Sequence, residues 1–223
     1  MGDKGGLSLP FFMGPARDQG LGAIVEKPYK PVYSDSMKPS EEFRFNSGRL
    51  SLDLAATVRR RGSLPNDVLA APGAPARWLR EAIGVEDLPA LSPAQEAALR
   101  ALRETIWTLA TAASADAVLP AAAVDDLNAT AAFPLATPQL DAASVTVRLL
   151  AADPFLAALA AIAGDAIDLL GGALRSRIKA CAQPDCQMLF LDLSRSRRRR
   201  WCSMDRCGSR AKGDAFRQRH RDP

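Results

Sequence analysis

Hydrophobic side chains recur at intervals of three and four residues along much of the middle of the chain. The longest stripe runs through residues 91–118, and this spacing places its members on one face of an α-helix. Ser92 is a favourable N-cap, Pro93 suits the first helical position, and Gln95 completes a capping box. The stripe consists of Leu99, Leu102, Ile106, Leu109 and Ala113. We therefore predict a long amphipathic helix here.

Four further segments combine apolar periodicity with residues that start or stop helices. We predict helices over residues 50–61, 74–83, 120–133 and 154–171. Pro75 lies near the start of the second and Asp153 caps the last, while Gly62 and Gly84 suit left-handed caps after the first and second. The positive charge of Arg59–Arg61 would complement the dipole at the end of the first helix.

Strand-like patterns are few. Residues 144–150 alternate and are β-branched, so we predict a strand, with the short alternating piece Phe43–Phe45 as a candidate partner. Residues 1–42 are rich in Gly, Pro, Ser and Lys without apolar periodicity, which indicates an irregular leader. The expected fold class is therefore mainly α, with a multihelical body over residues 43–174 and a small β element.

Charge is distributed unevenly between this body and the rest of the chain. Residues 172–223 carry fourteen Lys and Arg against five Asp and Glu, a net charge of +9, whereas the remainder carries −5. A basic tail on an acidic body indicates a polyanionic partner for the tail. The overall composition, 48% hydrophobic and 24% charged, is that of a globular protein.

Nothing in the sequence indicates export or a membrane. The first residues lack the pattern of a signal peptide, and the most apolar stretch, residues 155–174, contains Asp165 and Asp168. We expect these two carboxylates to form a solvated stripe and Trp78 and Trp107 to belong to the core. The expected location is the cytoplasm, without a membrane partner, where thiols stay reduced.

All four cysteines lie within 27 residues near the C-terminal end. Cys181 and Cys186 form one C-x4-C pair, Cys202 and Cys207 form another, and fifteen residues separate the pairs. Four thiolates around one Zn²⁺ form a closed tetrahedral shell, so we predict one structural zinc ion. Two disulfides, four ordinary thiols or an iron–sulfur cluster are the alternatives.

The surroundings of the cysteines indicate a small module over residues 175–223. The turn-forming residues 182–185 separate the first pair, and the strand-like residues 187–193 can pair back onto residues 177–181. Ser203 is suited to cap a helix that would hold Cys207 in its first turns. A knuckle, a hairpin and a helix in this order resemble a treble-clef zinc finger.

A dense set of basic side chains accompanies the cysteines. On a helix, Arg206, Arg210, Arg217 and Arg221 share one side, and such a strip can contact consecutive phosphates. DNA is the predicted partner, and RNA or a merely solvated basic face are the alternatives. Ser194, Ser196 and Ser209 could add neutral phosphate contacts, and we expect Trp201 to pack over the metal shell. The predicted nucleic-acid contacts are Arg195, Arg197, Arg198, Arg199, Arg200, Arg206, Arg210, Lys212 and Arg217.

This C-terminal pattern resembles the CGNR zinc-finger family, which is named for the tetrad after its last cysteine. Here the tetrad reads Cys207-Gly208-Ser209-Arg210, so serine replaces the family's asparagine. The matching residues are Cys186, Phe190, Leu191, Asp192, Ser194, Arg195, Arg199, Arg200, Trp201, Cys202, Ser203, Met204, Cys207, Gly208, Arg210 and Lys212. Residues 43–58, residues 76–84 and the alanine-rich helices resemble the ABATE domain, so the two resemblances together cover about residues 43–220. The resemblance implies a stress-induced bacterial transcription regulator whose finger binds DNA.

Catalytic motifs are missing from the sequence. It contains no GxSxG, P-loop or dinucleotide-binding glycine motif, and its one histidine, His220, lies in the basic tail. We therefore expect a non-enzymatic regulator whose body senses a small-molecule effector or forms a homodimer. The alternative is a zinc-stabilised module that binds RNA or an acidic protein.

Overall fold

The computed structural model describes residues 43–84, 88–142 and 145–220. The predicted leader, residues 1–42, lies outside these ranges, as does Arg221 of the predicted arginine strip. Within the described residues, six α-helices and three two-stranded antiparallel sheets follow one another along the chain. The predicted mainly α fold class with a small β element is confirmed.

Five helices and two short strand pairs come first, and a hairpin followed by one helix comes last. The helices are α1 (Leu50–Ala55), α2 (Ala74–Ile83), α3 (Pro93–Ser114), α4 (Ala121–Ala131), α5 (Pro154–Gly171) and α6 (Ser209–Arg219). The paired strands are β1 (Val58–Arg59) with β2 (Asn66–Asp67), β3 (Thr137–Asp141) with β4 (Thr146–Leu150), and β5 (Ile178–Ala180) with β6 (Leu189–Leu191). A 3-10 turn at Arg175–Arg177 precedes β5, and a π-helical turn at Met204–Gly208 leads into α6.

The long helix α3 forms the centre of the helical body. It contacts α1, α4 and α5, and all five members of its predicted apolar stripe are buried. The Ser92 hydroxyl accepts a hydrogen bond from the Gln95 amide, and the Gln95 side chain accepts one from the Ser92 amide. The predicted capping box is confirmed. Trp78 of α2 is fully buried in the same core, and Trp107 packs at its edge.

Helix α1 is shorter than predicted, because it ends at Ala55 and not at Arg61. The β-branched Thr57 and Val58 follow, and the Thr57 hydroxyl donates to the Leu54 carbonyl at 2.7 Å. β-Branched side chains are less favourable in helices and favour strands. The chain therefore leaves the helix and forms β1 where the sequence predicted two more helical turns.

Gly62 does not cap a helix either. Its φ is not positive, and Arg60 adopts the left-handed conformation instead, with φ at 57°. Gly62 lies against the loop between the first two cysteines, where a Cβ would approach the Pro184 carbonyl oxygen to 2.1 Å. The predicted Gly62 cap and the dipole role of Arg59–Arg61 are wrong, because this segment packs against the cysteine-bearing unit.

The predicted strand at residues 144–150 exists as β4, but its partner differs from the prediction. β4 pairs with β3, with Thr137 opposite Leu150, and not with Phe43–Phe45. Phe43 is buried in the core, and the Phe45 ring lies 5.9 Å from the Trp78 ring. Large apolar side chains of the β3–β4 hairpin are exposed, namely Leu140, Val147, Leu149 and Leu150.

Helix α5 is tied to the start of α1 through a partly buried ion pair. Arg49 Nε donates to Asp165 Oδ1 at 2.8 Å, and the Ser51 hydroxyl donates to Asp165 Oδ2 at 2.6 Å. The predicted solvated stripe is wrong for Asp165, whereas Asp168 is 74% exposed. By length and composition α5 could cross a membrane, but more than half of it is buried, so it is weak evidence for a span.

The β5–β6 hairpin shares its core with the helical body. Ile178, Leu189 and Leu191 belong to the same buried cluster as the helices. The Leu191 amide donates to the Ser47 carbonyl at 2.7 Å. Gly48, with φ at 95°, allows this approach, since a Cβ there would lie 3.0 Å from Leu191 Cβ. The cysteine-bearing unit is thus packed onto the body and not merely tethered to it.

Asp53 of α1 is a carboxyl buried within this core. Asp53 is only 1% exposed, and its Oδ1 accepts a hydrogen bond from the Ser47 amide at 2.8 Å. Oδ2 has no hydrogen-bond partner among the described residues. Burial raises the pKa of Asp53 from an ordinary value of 3.8 to about 7, although the Ser47 amide opposes the shift.

The raised pKa of Asp53 predicts that the folded protein loses stability as the pH rises. The unfolded chain releases this proton near pH 4, whereas the folded chain releases it only near pH 7. Between these two pH values the folded state binds more protons than the unfolded state, so the free energy of unfolding falls as the pH rises. Between about pH 5.5 and about pH 7.5, the loss is on the order of 1–2 kcal/mol relative to Asp53→Asn. Urea unfolding of both proteins measures it, and parallel pH profiles would contradict the prediction.

Candidate metal centre and arginine surface

The four cysteine sulfurs converge on one point. Their Sγ atoms all lie within 4.8 Å of one another, and all four residues are buried. Sγ of Cys202 lies 3.7 Å from that of Cys186 and 3.6 Å from that of Cys207. A ZnS₄ tetrahedron with Zn–S bonds of about 2.3 Å has S–S edges of about 3.8 Å. The cluster therefore has the dimensions of a site for a single zinc ion.

The alternative of two disulfides does not fit these dimensions. All four cysteines are free, and the measured S–S separations are well beyond a disulfide bond of about 2.05 Å. Hydrogen bonds with the thiols of Cys186 and Cys202 lower the pKa of Cys181. A lowered pKa favours the thiolate, which is the form that binds metal.

Main-chain hydrogen bonds hold the two cysteine pairs together. The Cys181 amide donates to the Met188 carbonyl at 2.9 Å, which closes the first loop at the end of β5. The Ala182 amide donates to the Arg200 carbonyl at 2.8 Å, and this bond joins the two loops. Cys207 lies in the π-helical turn Met204–Gly208 that leads into α6, where the sequence predicted the first turns of the helix itself. The Ser203 side chain makes no cap hydrogen bond, so its predicted capping role is wrong.

A small apolar cluster surrounds the sulfurs. Phe190 is fully buried beside them, together with Met188 and with Ala56 from the helical body. Trp201 packs against this cluster, as the sequence predicted, and the Arg200 guanidinium lies 5.2 Å from its ring centre. The cluster shows that the metal site and the helical body are in direct contact.

Five arginines lie between positions 195 and 200, which we call the arginine run, and Arg199 differs from the other four. Its Nε donates to the Trp201 carbonyl at 2.8 Å, and its Nη2 donates to the Cys202 carbonyl. The guanidinium also lies 4.7 Å from the centre of the Phe190 ring. These contacts turn Arg199 inward onto the metal loop, whereas Arg195, Arg197, Arg198 and Arg200 are exposed.

Asp192 anchors the loop that carries the arginine run. Its side chain is fully buried, and Oδ1 accepts hydrogen bonds from the amide and the hydroxyl of Ser194, at 3.0 and 2.6 Å. Oδ2 accepts from Lys179 Nζ at 2.7 Å and from the Arg199 amide at 3.0 Å. Burial alone would raise the pKa of Asp192, but these hydrogen bonds outweigh it and hold the pKa below its ordinary value. The carboxylate therefore stays ionised and holds the loop.

The arginines of the last helical segment lie beside arginines of the body. Arg206, Arg210 and Arg217 line one cavity together with Arg44, Arg59 and Arg60. Arg210 donates to Asp185 at 2.8 Å and to Cys207 Sγ at 3.5 Å. Burial and the charge of Arg206 lower the pKa of Arg44. Three predicted strip members thus share one face, and Lys212 is exposed on α6.

Two family models match the chain over these two parts. Residues 48–173 match the ABATE model, described as "Putative stress-induced transcription regulator", and residues 177–220 match the CGNR zinc finger. The first match alone spans more than half of the chain. The chain belongs to the ABATE family. No curated protein matches it.

In this ABATE protein the predicted zinc cofactor is confirmed, because a CGNR zinc finger coincides with four clustered cysteines. Ser209 stands where the finger family carries asparagine, and its hydroxyl donates to the Met204 carbonyl at 3.1 Å. The serine thus closes the turn before α6. The Ser194 hydroxyl is likewise committed to Asp192, so neither hydroxyl proton is available for a phosphate in this arrangement.

Sequence reasoning missed two features of this region. The anchoring role of Asp192 was not predicted, although its place between β6 and the arginine run is a local signal. Arg44, Arg59 and Arg60 were not predicted beside the finger, because they lie more than a hundred residues earlier in the chain. No spacing rule links such distant positions.

Proposed function

We propose that this ABATE protein regulates transcription by binding DNA through the arginine surface of its zinc finger. The observation that carries the proposal is the loop over residues 194–200. It presents four exposed arginines, and Asp192 and Lys179 tie it to the finger hairpin. Lys179 Nζ also donates to the Arg197 carbonyl. A fixed set of guanidinium groups can contact consecutive phosphates without a large loss of conformational entropy.

The finger's other basic groups extend the proposed surface. Lys212 is exposed, and Arg206, Arg210 and Arg217 lie on the cavity face of the same unit. We assign Arg199 a supporting role in this surface, since its guanidinium is used by the main chain of the metal loop. The proposed role is non-enzymatic, and the proposed location is the cytoplasm.

A double variant in the loop tests the DNA contacts. Arg197→Gln combined with Arg198→Gln should weaken duplex binding and reduce the slope of log K against log salt by about 0.9 for each phosphate that the variant no longer neutralises. Fluorescence anisotropy over a series of salt concentrations measures both quantities. Arg148→Gln, an exposed substitution on β4, is the control with the same type of charge change.

Selection of bound DNA from a random pool distinguishes a sequence-specific regulator from a zinc-stabilised module that binds nucleic acid without preference. A regulator should enrich a sequence that survives competitor DNA. Binding that is salt-labile, without preference and equal for RNA would favour the zinc-stabilised interaction module instead. An unchanged salt slope in the double variant would contradict the proposed contacts.

The helical body would contribute either a sensing site or a dimer interface. The exposed apolar side chains of the β3–β4 hairpin are a candidate surface for dimerisation, since exposed apolar patches often mark interaction sites. The arginine-lined cavity is a candidate for sensing. Sedimentation equilibrium of the full chain distinguishes a monomer from a dimer.

A further inference from the structure

A cavity of about 690 Å³ lies where the finger meets the helical body. This size is typical of small-ligand sites, which span about 300–1,000 Å³. Its wall combines residues from two distant parts of the chain. The body contributes Arg44, Arg59 and Arg60, and the finger contributes Arg206, Arg210 and Arg217. A cavity with six arginines in its lining is suited to an anion.

Among the described residues, the carboxylates near this cavity are fewer than its six arginines, and one of them, Asp205, lies on the wall itself. Asp185 pairs with Arg210 at 2.8 Å and lies 3.8 Å from Arg60. Arg217 pairs with Asp214. The sulfurs of Cys186, Cys202 and Cys207 also lie on the wall, and negative charge on them favours the charged form of Arg44.

Two arginines of the cavity have no carboxylate partner in the part of the chain that the structure describes. Among the described residues, neither Arg44 nor Arg206 pairs with a carboxylate, and Arg206 Nη2 is buried without a hydrogen-bond acceptor. One group comes from the body and the other from the finger, and the charge of Arg206 lowers the pKa of Arg44. A buried guanidinium donor without an acceptor is costly, and a second cation nearby adds repulsion. A bound anion would remove both costs.

We propose that this cavity binds a small molecule with two adjacent phosphate groups, held between Arg44 of the body and Arg206 of the finger. The planar guanidinium fork matches phosphate oxygens in pairs, and two neighbouring guanidiniums without carboxylate partners among the described residues can each take one of two linked phosphates. Such a ligand would bridge the body and the finger. On the proposed function, it would also occupy Arg206, Arg210 and Arg217, so it would compete with DNA.

Calorimetry with the zinc-loaded full chain and inorganic pyrophosphate tests the site. Pyrophosphate should bind at least tenfold more tightly than orthophosphate, because only it offers one phosphate to each of the two arginines. Arg44→Gln and Arg206→Gln should each weaken pyrophosphate binding about tenfold or more, as expected when a charge-assisted hydrogen bond is removed. Arg148→Gln, far along the chain on β4, should bind as the wild type does. Zinc content before and after titration checks that pyrophosphate has not removed the metal.

Several outcomes would overturn the proposal. They are an absence of pyrophosphate binding, equal binding of orthophosphate, and equal losses in Arg148→Gln. A parallel titration with duplex DNA distinguishes a small phosphate ligand from the phosphates of the nucleic-acid backbone. If Arg44→Gln and Arg206→Gln weaken DNA binding while pyrophosphate neither binds nor competes, the cavity serves the nucleic-acid backbone and the small-ligand assignment is wrong. If pyrophosphate binds as expected but no DNA does, the cavity proposal stands and the proposed function fails.

Discussion

Cys202→Ser is expected to abolish stoichiometric zinc binding and to unfold the finger. Cys202 Sγ lies within 3.7 Å of two other cysteine sulfurs, so its loss opens the centre of the cluster. Zinc binding contributes about 10–16 kcal/mol to the folding of comparable small modules, more than a finger of this size can supply from its own core. Metal analysis and hydrogen exchange over residues 181–220 measure the two effects.

The same variant should also destabilise the helical body. From the sequence alone, the body is expected to be unaffected, but Ile178, Leu189 and Leu191 of the finger hairpin belong to its core. Each such side chain contributes about 1.5–3 kcal/mol when buried, against a total stability of about 5–15 kcal/mol for a domain. The melting temperature of the helical signal should therefore fall along with the loss of zinc.

Ser203→Ala is the matched control for this experiment. Ser203 is adjacent to Cys202 in sequence, and its side chain makes no cap hydrogen bond. The control should keep one zinc per chain and an unchanged melting temperature. A Cys202→Ser protein that retains zinc, or that protects residues 181–220 from exchange as the wild type does, would exclude a structural role for this site.

Asp192→Asn is expected to weaken DNA binding about tenfold although it removes a negative charge. An asparagine can still accept the two Ser194 hydrogen bonds through its oxygen. Its NH₂ group cannot accept those from Lys179 Nζ and the Arg199 amide. The arginine loop then loses two anchors, at a cost of about 2–3 kcal/mol in the stability of its fixed geometry.

Whether Asp192→Asn weakens or strengthens DNA binding shows whether the fixed geometry of the loop or the net charge of the finger determines the affinity. If only net charge mattered, Asp192→Asn would strengthen binding to a polyanion, as Asp205→Asn should. Asp205 is exposed in the turn before α6, so its substitution makes the same change of charge without releasing the loop. Anisotropy titrations of both variants at one salt concentration, with zinc content confirmed, measure the difference. Tighter binding by Asp192→Asn would contradict the fixed-loop explanation.

Local patterns predicted the helices well where the signals lie within a few residues. The Ser92–Gln95 capping box and the buried stripe of α3 follow from spacing alone, as do the start of α5 at Asp153 and the end of α2 at Gly84. The same approach failed at residues 56–62. There the β-branched Thr57 and Val58 are a local signal for leaving the helix, whereas the packing of Gly62 against the finger depends on residues more than a hundred positions away.

The sequence by itself determined the chemistry of the metal site. Four cysteines in two C-x4-C pairs indicate one zinc ion, because paired loops of this length bring their sulfurs to a common centre. The tertiary structure alone decided what each arginine does. Arg199 supports the metal loop, Asp192 anchors the exposed arginines, and Arg44 and Arg206 line the same cavity. Such roles depend on which distant segments share a core, and hydrophobic burial between the body and the finger hairpin decides that pairing.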